Sequence, residues 1–418
     1  MYKVFKFGGA SIKDVENIIN VGNILRLYEN DNLVIIFSAM GKVTNMLENV
    51  VEYYFQRDKD SFIALQKVKD FHYNIIKSLF NKEHKIFDEV NNLFVEIEWV
   101  LEEESNNDYN YNYDQIVSVG EFLSTKIMSA YLQDLGFKNC LLDSRDLIKT
   151  DNLHRNAKVK WEVTMTCIKD QVQDNHVITQ GFLGCTSENF TTTLGREGSD
   201  FTAAILAYSL NAKEVVIWKD VPGMMNADPK YFNFAELLEE ISFDEAIELA
   251  YFGAKVIHPK TIQPLKQKQI PLYIRSFLEP ESKGSCISEG VITSPEVPSF
   301  IIKDKQILIS ISDPSLYFIV EKHMSRIFSI LSIYNVRVNM MQNSAVSFSI
   351  CVDYDSYKIP SLISDLQEDF DVCYNSNTSL CTIRHYTKDS VNRFLKGKTI
   401  LLEQRSRSTL QVVVGDDI

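Results

Sequence analysis

The sequence lacks the patterns that would assign it to several common protein classes. Its 418 residues include seven cysteines and seven histidines, which are scattered without a CxxC pair or an HExxH spacing. Isolated residues of this kind disfavour a disulfide framework and a zinc site, so we expect no metal centre built by the protein alone. No apolar run approaches membrane-spanning length, and the N-terminus has no apolar signal core. We therefore expect a cytoplasmic protein with no membrane partner.

Positive charge is also scarce. The chain has 43 Lys and Arg against 56 Asp and Glu, a formal net charge of −13. Because nucleic-acid-binding domains display a basic surface, we expect no nucleic-acid partner. Local basic sites for a phosphate stay compatible with an acidic total. The length suffices for two or three domains, each with its own core.

Strand-like and helical segments alternate over the first two thirds of the chain. Several of the strand-like runs are continuously β-branched, which is typical of strands buried on both faces of a parallel sheet. The alternation predicts an α/β fold with a doubly wound, mainly parallel sheet. The polar, tyrosine-rich stretch 102–114 is predicted to be a surface loop with solvated tyrosines. Predicted strands are 2–7, 33–38, 139–143, 177–182, 215–218 and 270–277, and predicted helices are 12–27, 45–80, 115–135, 201–209 and 243–256.

A second region follows the proline- and glycine-containing stretch 278–299. Its predicted element order over about 306–375 is βαββαβ, the ferredoxin-like arrangement. The remainder, 379–418, is too short for a second full copy unless 300–304 contributes a strand to it. We predict a first domain at 1–283, a linker at 284–299 and a second domain at 300–418.

The stretch KFGGAS combines a strand end with a glycine pair. Gly8 and Gly9 would let backbone N–H groups approach an anion, and Lys6 could reach the same anion. Ser11 and Asp14 form a capping pattern that predicts a helix start directly after the glycines. A tight turn beside a surface lysine would account for the same residues, and it stays an alternative to an anion site. The dinucleotide fingerprint GxGxxG is absent here.

Three further clusters carry candidate chemistry. The stretch 191–210 places Arg196, suited to a carboxylate or phosphate, and Asp200 at the start of a predicted helix. The stretch 218–230 follows a predicted strand, where ligand crevices of α/β sheets lie. Lys255 follows a pair of small residues on a predicted helix.

Together these clusters make the chain resemble the amino-acid kinase family, and within it the aspartate kinases. The resemblance implies an amino-acid kinase fold followed by an ACT regulatory region with one full module and a shortened second one. The matching motifs, in chain order, are KFGG (6–9), SAMGKVTN (38–45), VSVGEFLSTKI (117–127), TLGREGSDFTAA (193–204), KDVPG with ADP (219–229) and FGAKVIHP (252–259).

The resemblance also implies roles for individual residues. Lys6 and Lys255 would contact the phosphates of ATP, and Asp200 would orient the lysines. Glu121 would face the ammonium group of aspartate, and Arg196 would bind one of its carboxylates. Further implied nucleotide contacts are Gly8, Gly9, Lys219, Asp220, Gly223, Asp228 and Lys230, and further substrate contacts are Ser38, Thr44, Gly198 and Ser199.

The implied activity is transfer of the γ-phosphoryl group of ATP, with Mg²⁺, to the side-chain carboxylate of L-aspartate, the first step towards lysine, threonine and methionine. That carboxylate is ionised at neutral pH, so no general base is needed, and the sequence shows no obvious one. Two alternatives stay open: a kinase for a glutamate-type substrate, and an amino-acid sensor without catalysis.

The sequence departs from the family's usual pattern at several positions. Ala10, Glu197, Met225 and Lys230 replace the threonine, glycine, tyrosine and arginine that are common there. These differences concern the fine geometry of the nucleotide site.

The ACT region implies an amino-acid effector and a homodimer that pairs through these modules. Lysine-sensitive relatives tend to place carboxylates where this chain has Asn339 and Ala345, so the ammonium group of an effector lysine would lack ion-pair partners there. The candidate effector contacts are Met324, Ser325, Asn339 and Ser344.

Overall fold

The computed structural model describes residues 1–57, 60–103, 108–173, 175–254, 256–314 and 318–415. The chain divides into two compact units. The first unit comprises Met1–Met224, Leu237–Ile247 and Val256–Pro295, and the second comprises Met225–Glu236, Glu248–Lys255 and Glu296–Ile418. The segments 225–236 and 248–255, which the sequence places inside the first predicted domain, thus group with the second unit.

A large sheet forms the centre of the first unit. Within the described residues it has eight strands in the order β3-β4-β2-β1-β7-β9-β10-β8, and only the β9–β10 pair is antiparallel. This confirms the predicted doubly wound, mainly parallel sheet. Strands β5 and β6 form a separate antiparallel pair. The bounds are β1 (Tyr2–Phe7), β2 (Asn32–Phe37), β3 (Cys140–Leu142), β4 (His176–Gln180), β5 (Leu183–Cys185), β6 (Thr191–Thr193), β7 (Glu214–Lys219), β8 (Glu240–Ser242), β9 (Leu272–Ser276) and β10 (Ser285–Ser288).

The helices of this part of the chain precede or follow the strands in the predicted alternation. None of the helices in the described residues is long and apolar enough to cross a membrane. The bounds are α1 (Val15–Arg26), α2 (Val43–Phe55), α3 (Asp60–Leu79), α4 (Ile86–Glu102), α5 (Tyr109–Val117), α6 (Val119–Asp134), α7 (Ser144–Leu147), α8 (Trp161–Gln171), α9 (Gly198–Leu210), α10 (Phe243–Phe252) and α11 (Pro259–Gln267).

The core of the first unit lies against the two faces of β1. This strand sits between β2 and β7, and its residues Val4–Phe7 are all buried. The ring of Phe7 stacks on Trp218 with centroids 5.8 Å apart and packs on Phe37 at 5.6 Å. Aromatic rings from β1, β2 and β7 thus pack the ends of these strands together. Lys6 lies on β1, next to Phe7.

Some local predictions were wrong. Helix α1 begins at Val15, and its cap is the Asp14 side chain, which accepts a hydrogen bond from the Asn17 backbone N–H at 2.9 Å. Ser11 lies instead in a short 3₁₀ turn, Gly9–Ile12, and its hydroxyl donates to the Gly8 carbonyl at 2.6 Å. The reason is that Asp14 offers a carboxylate to the next turn and so displaces the start of the helix by several residues.

The tyrosine-rich stretch also differs from the expected loop. Residues 104–107 lie outside the described residues, but Tyr109–Val117 form α5. Tyr113 is buried in this helix rather than solvated. Asp108 caps the helix by accepting from the Tyr111 N–H at 3.0 Å. In the predicted linker, Ser285–Ser288 form β10 and pair with β9 and β8 in the large sheet.

The second unit is built on an antiparallel sheet. In the part of the chain that the structure describes, six strands follow the order β12-β13-β11-β14-β16-β15. Strands β11 and β14 each have 14 residues and pair along most of their length, so they run through both halves of the sheet. The bounds are β11 (Ser299–Ser312), α12 (Glu321–Ile333), β12 (Val338–Asn343), β13 (Ser347–Asp353), α13 (Lys358–Gln367), β14 (Asp371–Arg384), α14 (Lys388–Leu395), β15 (Thr399–Arg405) and β16 (Thr409–Gly415).

The shared strands explain how the short C-terminal stretch forms a sheet half. Residues 299–303 of β11 pair with 380–384 of β14, which also pairs with β16. A register shift between Lys303 and Gln306 separates this half from the first one. The predicted βαββαβ order holds for the first half, with α12 and α13, whereas α14 is the helix of the second half.

Candidate active site

A cavity of about 460 Å³ lies in the first unit where β1, β2 and β7 end. The carboxyl ends of parallel strands are the usual place for a ligand in an open α/β sheet. The structure brings together residues that are far apart in the chain. Those predicted from the sequence that line the cavity are Lys6, Ser38, Thr44, Glu121, Arg196, Gly198, Ser199, Asp200 and Lys219.

Asp200 stands between two lysines in this cavity. Its carboxylate lies 2.6 Å from Lys6 Nζ and 3.5 Å from Lys219 Nζ, and Asp200 and Lys6 are both buried. Burial alone would raise the pKa of Asp200, but the two ammonium groups outweigh it and hold the pKa below its ordinary value. Lys219 Nζ also donates to the Val256 carbonyl. The arrangement fixes two positive charges beside one shared carboxylate.

Helix α9 supplies Asp200 from its first turn. Glu197 precedes the helix in a left-handed conformation with φ 54°, and burial raises the pKa of its carboxyl. The helix is apolar nearly all round and is buried, so its N-terminus is held firmly at the cavity. The position of Asp200 combines the helix dipole with the lysine pair, and both stabilise the ionised carboxylate.

Glu121 is a buried acid without a complete set of partners. It is 3% exposed, and its Oε2 atom has no hydrogen-bond partner within the described chain. Burial raises its pKa to about 8, although the charge of Lys6 and the Ala39 backbone N–H oppose the shift. A buried carboxylate that faces a cavity with one oxygen unpartnered is suited to a cationic group of a ligand.

The glycine pair after β1 has a packing role. A Cβ atom on Gly9 would lie 2.6 Å from the Ala39 carbonyl oxygen, and the Gly41 N–H donates to the Gly9 carbonyl at 2.9 Å. This close approach of two backbones requires glycine at position 9. The predicted phosphate contacts of Gly8 and Gly9 stay predictions.

Several residues that line the cavity were not predicted. Tyr113 donates to Glu48 Oε1 at 2.7 Å, and burial together with this hydrogen bond raises the pKa of Tyr113. The Arg155 guanidinium lies over the Tyr113 ring, 4.4 Å from its centroid. Among these residues only Tyr113 carries a sequence signal, the tyrosine run, which predicts a loop. The unpredicted lining residues are Glu48, Tyr113, Arg155, Phe182, Gly195 and Glu197.

Four other predicted nucleotide contacts are not among the residues that line the cavity. Asp220 is exposed, and Gly223 is buried against Ser285. Asp228 and Lys230 are exposed residues of the second unit. Lys255 lies outside the described residues. The roles of all five stay predictions.

The predicted effector residues belong to the second unit. The Asn339 side chain donates to Gln306 Oε1 at 2.9 Å and to Asp353 Oδ1 at 3.0 Å, and it accepts from Lys303 Nζ at 3.0 Å. Its amide is therefore engaged within the unit. Met324 packs on the core of the first sheet half, whereas Ser325 and Ser344 are exposed. Their contacts with an effector stay predictions.

The comparison with known families defines the class. Residues 1–276 match the family model described as "Amino acid kinase family". The match covers more than half of the chain and includes the strands and helices that form the cavity. The chain belongs to the amino acid kinase family, as its motifs predicted.

The similar proteins are aspartokinases. Lysine-sensitive aspartokinase 3 of Escherichia coli (strain K12) is 30% identical over 354 residues, covering 84% of this chain and 78% of that protein. Aspartokinase 1, chloroplastic, of Arabidopsis thaliana is 29% identical over 416 residues, covering 95% and 69%. The crystal structure of E. coli aspartokinase III in complex with aspartate and ADP (R-state) matches with a TM-score of 0.85 and 26% identity, covering 99% of this chain and 96% of that one. A second structure of that enzyme, with lysine and aspartate (T-state), has a TM-score of 0.82 at 26% identity, again covering 99% and 96%.

Proposed function

We propose that this protein is an aspartate kinase, which converts ATP and L-aspartate into ADP and 4-phospho-L-aspartate. This is the first step towards lysine, threonine and methionine. The observation that carries the proposal is Asp200 between Lys6 and Lys219, in the same cavity as Glu121, whose Oε2 atom has no hydrogen-bond partner among the described residues. The aspartokinase relatives support the choice of substrate.

At the amino-acid end, Glu121 binds the substrate ammonium group. A buried carboxylate with an unsatisfied oxygen gains most from a cationic partner, because the ligand then supplies the missing hydrogen bond. Arg196 binds a substrate carboxylate through its planar guanidinium. Ser38 and Thr44 line the same cavity and offer hydroxyl groups to the amino acid.

At the phosphate end, Lys6 and Lys219 offset the charge of the transferred group. An oxygen of the aspartate β-carboxylate attacks the γ-phosphorus, the bond from that phosphorus to the β–γ bridging oxygen breaks, and ADP leaves. The attacking carboxylate carries no proton at neutral pH, so no base is required. Asp200 holds the lysine pair in place before the reaction, which reduces the reorganisation needed in the transition state.

ATP is the proposed phosphoryl donor, and Mg²⁺ is proposed to accompany it. Among the described residues, no group of three or more His, Cys, Asp or Glu could hold a metal ion. Single carboxylates facing the cavity fit a cation that takes most of its ligands from phosphate and water. When bound, Mg²⁺ would offset negative charge on the nucleotide phosphates.

A homodimer is proposed through the first half of the second unit's sheet. Among the described residues, strand β12 lies at the edge of its sheet, and apolar side chains on and around α12 and β12 are exposed. Exposed apolar surface next to an unpaired strand edge favours association with another chain. Light scattering at micromolar concentration tests this, and a monomer would contradict it. The exposed residues are Phe318, Val320, Phe328, Ile333, Met341 and Val346.

An amino-acid effector is proposed to act at the ACT region, and a cytoplasmic location stays a prediction. Steady-state assays with lysine, threonine or methionine added identify the effector. Unchanged rates with each of the three would contradict regulation by these end products.

The activity is tested by trapping the product. The purified protein is incubated with ATP, Mg²⁺ and L-aspartate, and the acyl phosphate is captured with hydroxylamine while ADP is measured in parallel. We expect equal amounts of hydroxamate and ADP. A preference for glutamate in a substrate panel would favour the glutamate-type alternative, and binding of ATP without turnover would favour the sensor.

A further inference from the structure

Arg155 has an unusual backbone conformation at the cavity. Its φ is 66°, in the left-handed region that non-glycine residues rarely adopt, and its side chain lines the cavity. Residues held in such conformations concentrate at functional sites, where the surroundings compensate for the strain.

The side chain of Asp114 holds the turn at Arg155 through hydrogen bonds. This carboxylate is fully buried and accepts from the Arg155 backbone N–H at 3.2 Å and 3.1 Å, one distance to each oxygen. Thr193 Oγ1 donates to the same carboxylate at 2.7 Å, and His154 Nδ1 lies 2.8 Å from it. The left-handed conformation of Arg155 is thus fixed by hydrogen bonds to one side chain.

The guanidinium of Arg155 is supported by aromatic rings. Its carbon lies 4.4 Å from the Tyr113 ring centroid and 5.4 Å from that of Tyr109. The Tyr113 hydroxyl is in turn anchored to Glu48, and Glu48, Tyr113 and Arg155 all line the cavity. One guanidinium nitrogen, Nη1, donates to Asn110 Oδ1 at 3.5 Å. Because aromatic faces bind a guanidinium without using its N–H donors, the remaining donors are available to an anion.

The charges in the cavity divide into two groups. Lys6 and Lys219 share Asp200, so that carboxylate neutralises part of their charge. No carboxylate in the described chain lies within ion-pair distance of Arg155 or Arg196. The cavity therefore offers two arginines for anionic groups of a ligand, in addition to the lysine pair.

We propose that Arg155 is a specificity-determining residue, which together with Arg196 binds the α-carboxylate of the amino-acid substrate. This rests on the proposed function. The β-carboxylate of aspartate must face the phosphoryl group beside the lysines, so the α-carboxylate is the anion left for the arginines. Tyr113 and Glu48 hold the guanidinium in place, and Asp114 positions the turn.

The test uses Arg155→Gly, with Arg57→Gly as a matched control. Glycine suits the left-handed backbone at position 155, so the variant keeps the turn and removes only the side chain. Arg57 is also an exposed arginine at positive φ, 54°, and it does not line the cavity. Thermal unfolding checks that both variants are folded.

We expect Arg155→Gly to raise the KM for aspartate about tenfold, the effect of losing a hydrogen-bonded charge partner, with kcat and the KM for ATP nearly unchanged. The preference for aspartate over its α-amide, which lacks the α-carboxylate charge, should fall by a similar factor. Arg155→Lys should recover part of the affinity. Arg57→Gly should resemble the unmodified protein.

Two results would overturn the inference. One is an unchanged KM for aspartate in Arg155→Gly, and the other is an equal loss with aspartate and with its α-amide. If the unmodified protein forms no acyl phosphate from aspartate, it is the proposed function that fails, so the two failures are distinguishable.

Discussion

Replacing Glu121 by Gln should make the protein more stable at alkaline pH and weaken its binding of the substrate. The carboxyl group of Glu121 is buried, and burial raises its pKa to about 8 from an ordinary value of 4.5. The folded protein therefore holds a proton on Glu121 between these two pH values, whereas the unfolded chain does not. Stability contributed by this proton is present below about pH 4.5 and is lost as the pH rises through about 8.

The size of the effect follows from the shift. A difference of about 3.5 pH units, at 1.36 kcal/mol per unit, sets an upper limit of roughly 5 kcal/mol at about pH 9. Glutamine never ionises, so Glu121→Gln avoids this penalty and should gain up to that amount relative to the unmodified protein. At about pH 4.5 the two proteins should differ little.

The catalytic activity of Glu121→Gln should fall, although its stability at alkaline pH should rise. Without the carboxylate, the substrate ammonium group loses its partner, and kcat/KM for aspartate should fall by about a hundredfold. In the unmodified protein the substrate must displace a proton below about pH 8, so the KM for aspartate should rise by up to tenfold per unit as the pH falls. The variant should lack this dependence.

Urea unfolding at several pH values, combined with the hydroxamate assay, checks both effects. A variant whose KM for aspartate equals that of the unmodified protein would refute the proposed contact with the ammonium group. An unchanged dependence of the unfolding free energy on pH would refute the reasoning about burial.

Three further predictions concern other parts of the first unit. Lys6→Ala should lower kcat by at least about a hundredfold, because one of the two cations beside Asp200 is lost, and near-normal turnover of the folded variant would contradict this. Gly9→Ala should lower the free energy of unfolding by about 1–3 kcal/mol, since the new Cβ would lie 2.6 Å from a carbonyl oxygen, and an unchanged urea midpoint would count against the close packing. His72 is fully buried, and burial lowers its pKa to about 4, so stability should be lost as the pH falls from about 6.5 to 4, by up to roughly 3 kcal/mol. His72→Gln should flatten this dependence in pH-dependent unfolding, and the same slope in both proteins would show that another group is responsible.

Much of the fold could be predicted because its signals are local. The run YKVFKF is rich in apolar and aromatic residues and lies beside a glycine pair, and such a run needs no distant partner to be identified as a strand. The same holds for the alternation of strands and helices, which indicated a parallel sheet. Within the cavity, Lys6, Glu121 and Asp200 each lie in a motif that could be compared with a family, and all three line it.

Elements that depend on distant residues escaped prediction. The sequence did not predict β11 and β14 as continuous 14-residue strands, because polar residues interrupt the apolar pattern within each. The predicted helix start directly after the glycine pair was wrong because Asp14, and not Ser11, caps helix α1.

The sheet, the family and several residues that line the cavity could be predicted from the sequence alone, since each rests on a short stretch of chain. Two contacts could be seen only in the folded chain: Tyr113 donates to Glu48, 65 positions away, and Asp114 accepts from Arg155, 41 positions away. A polar loop and a tyrosine run carry no local sign of such a contact. The chemistry of these residues depends on their burial and on their spatial neighbours. Both arise only when the chain folds.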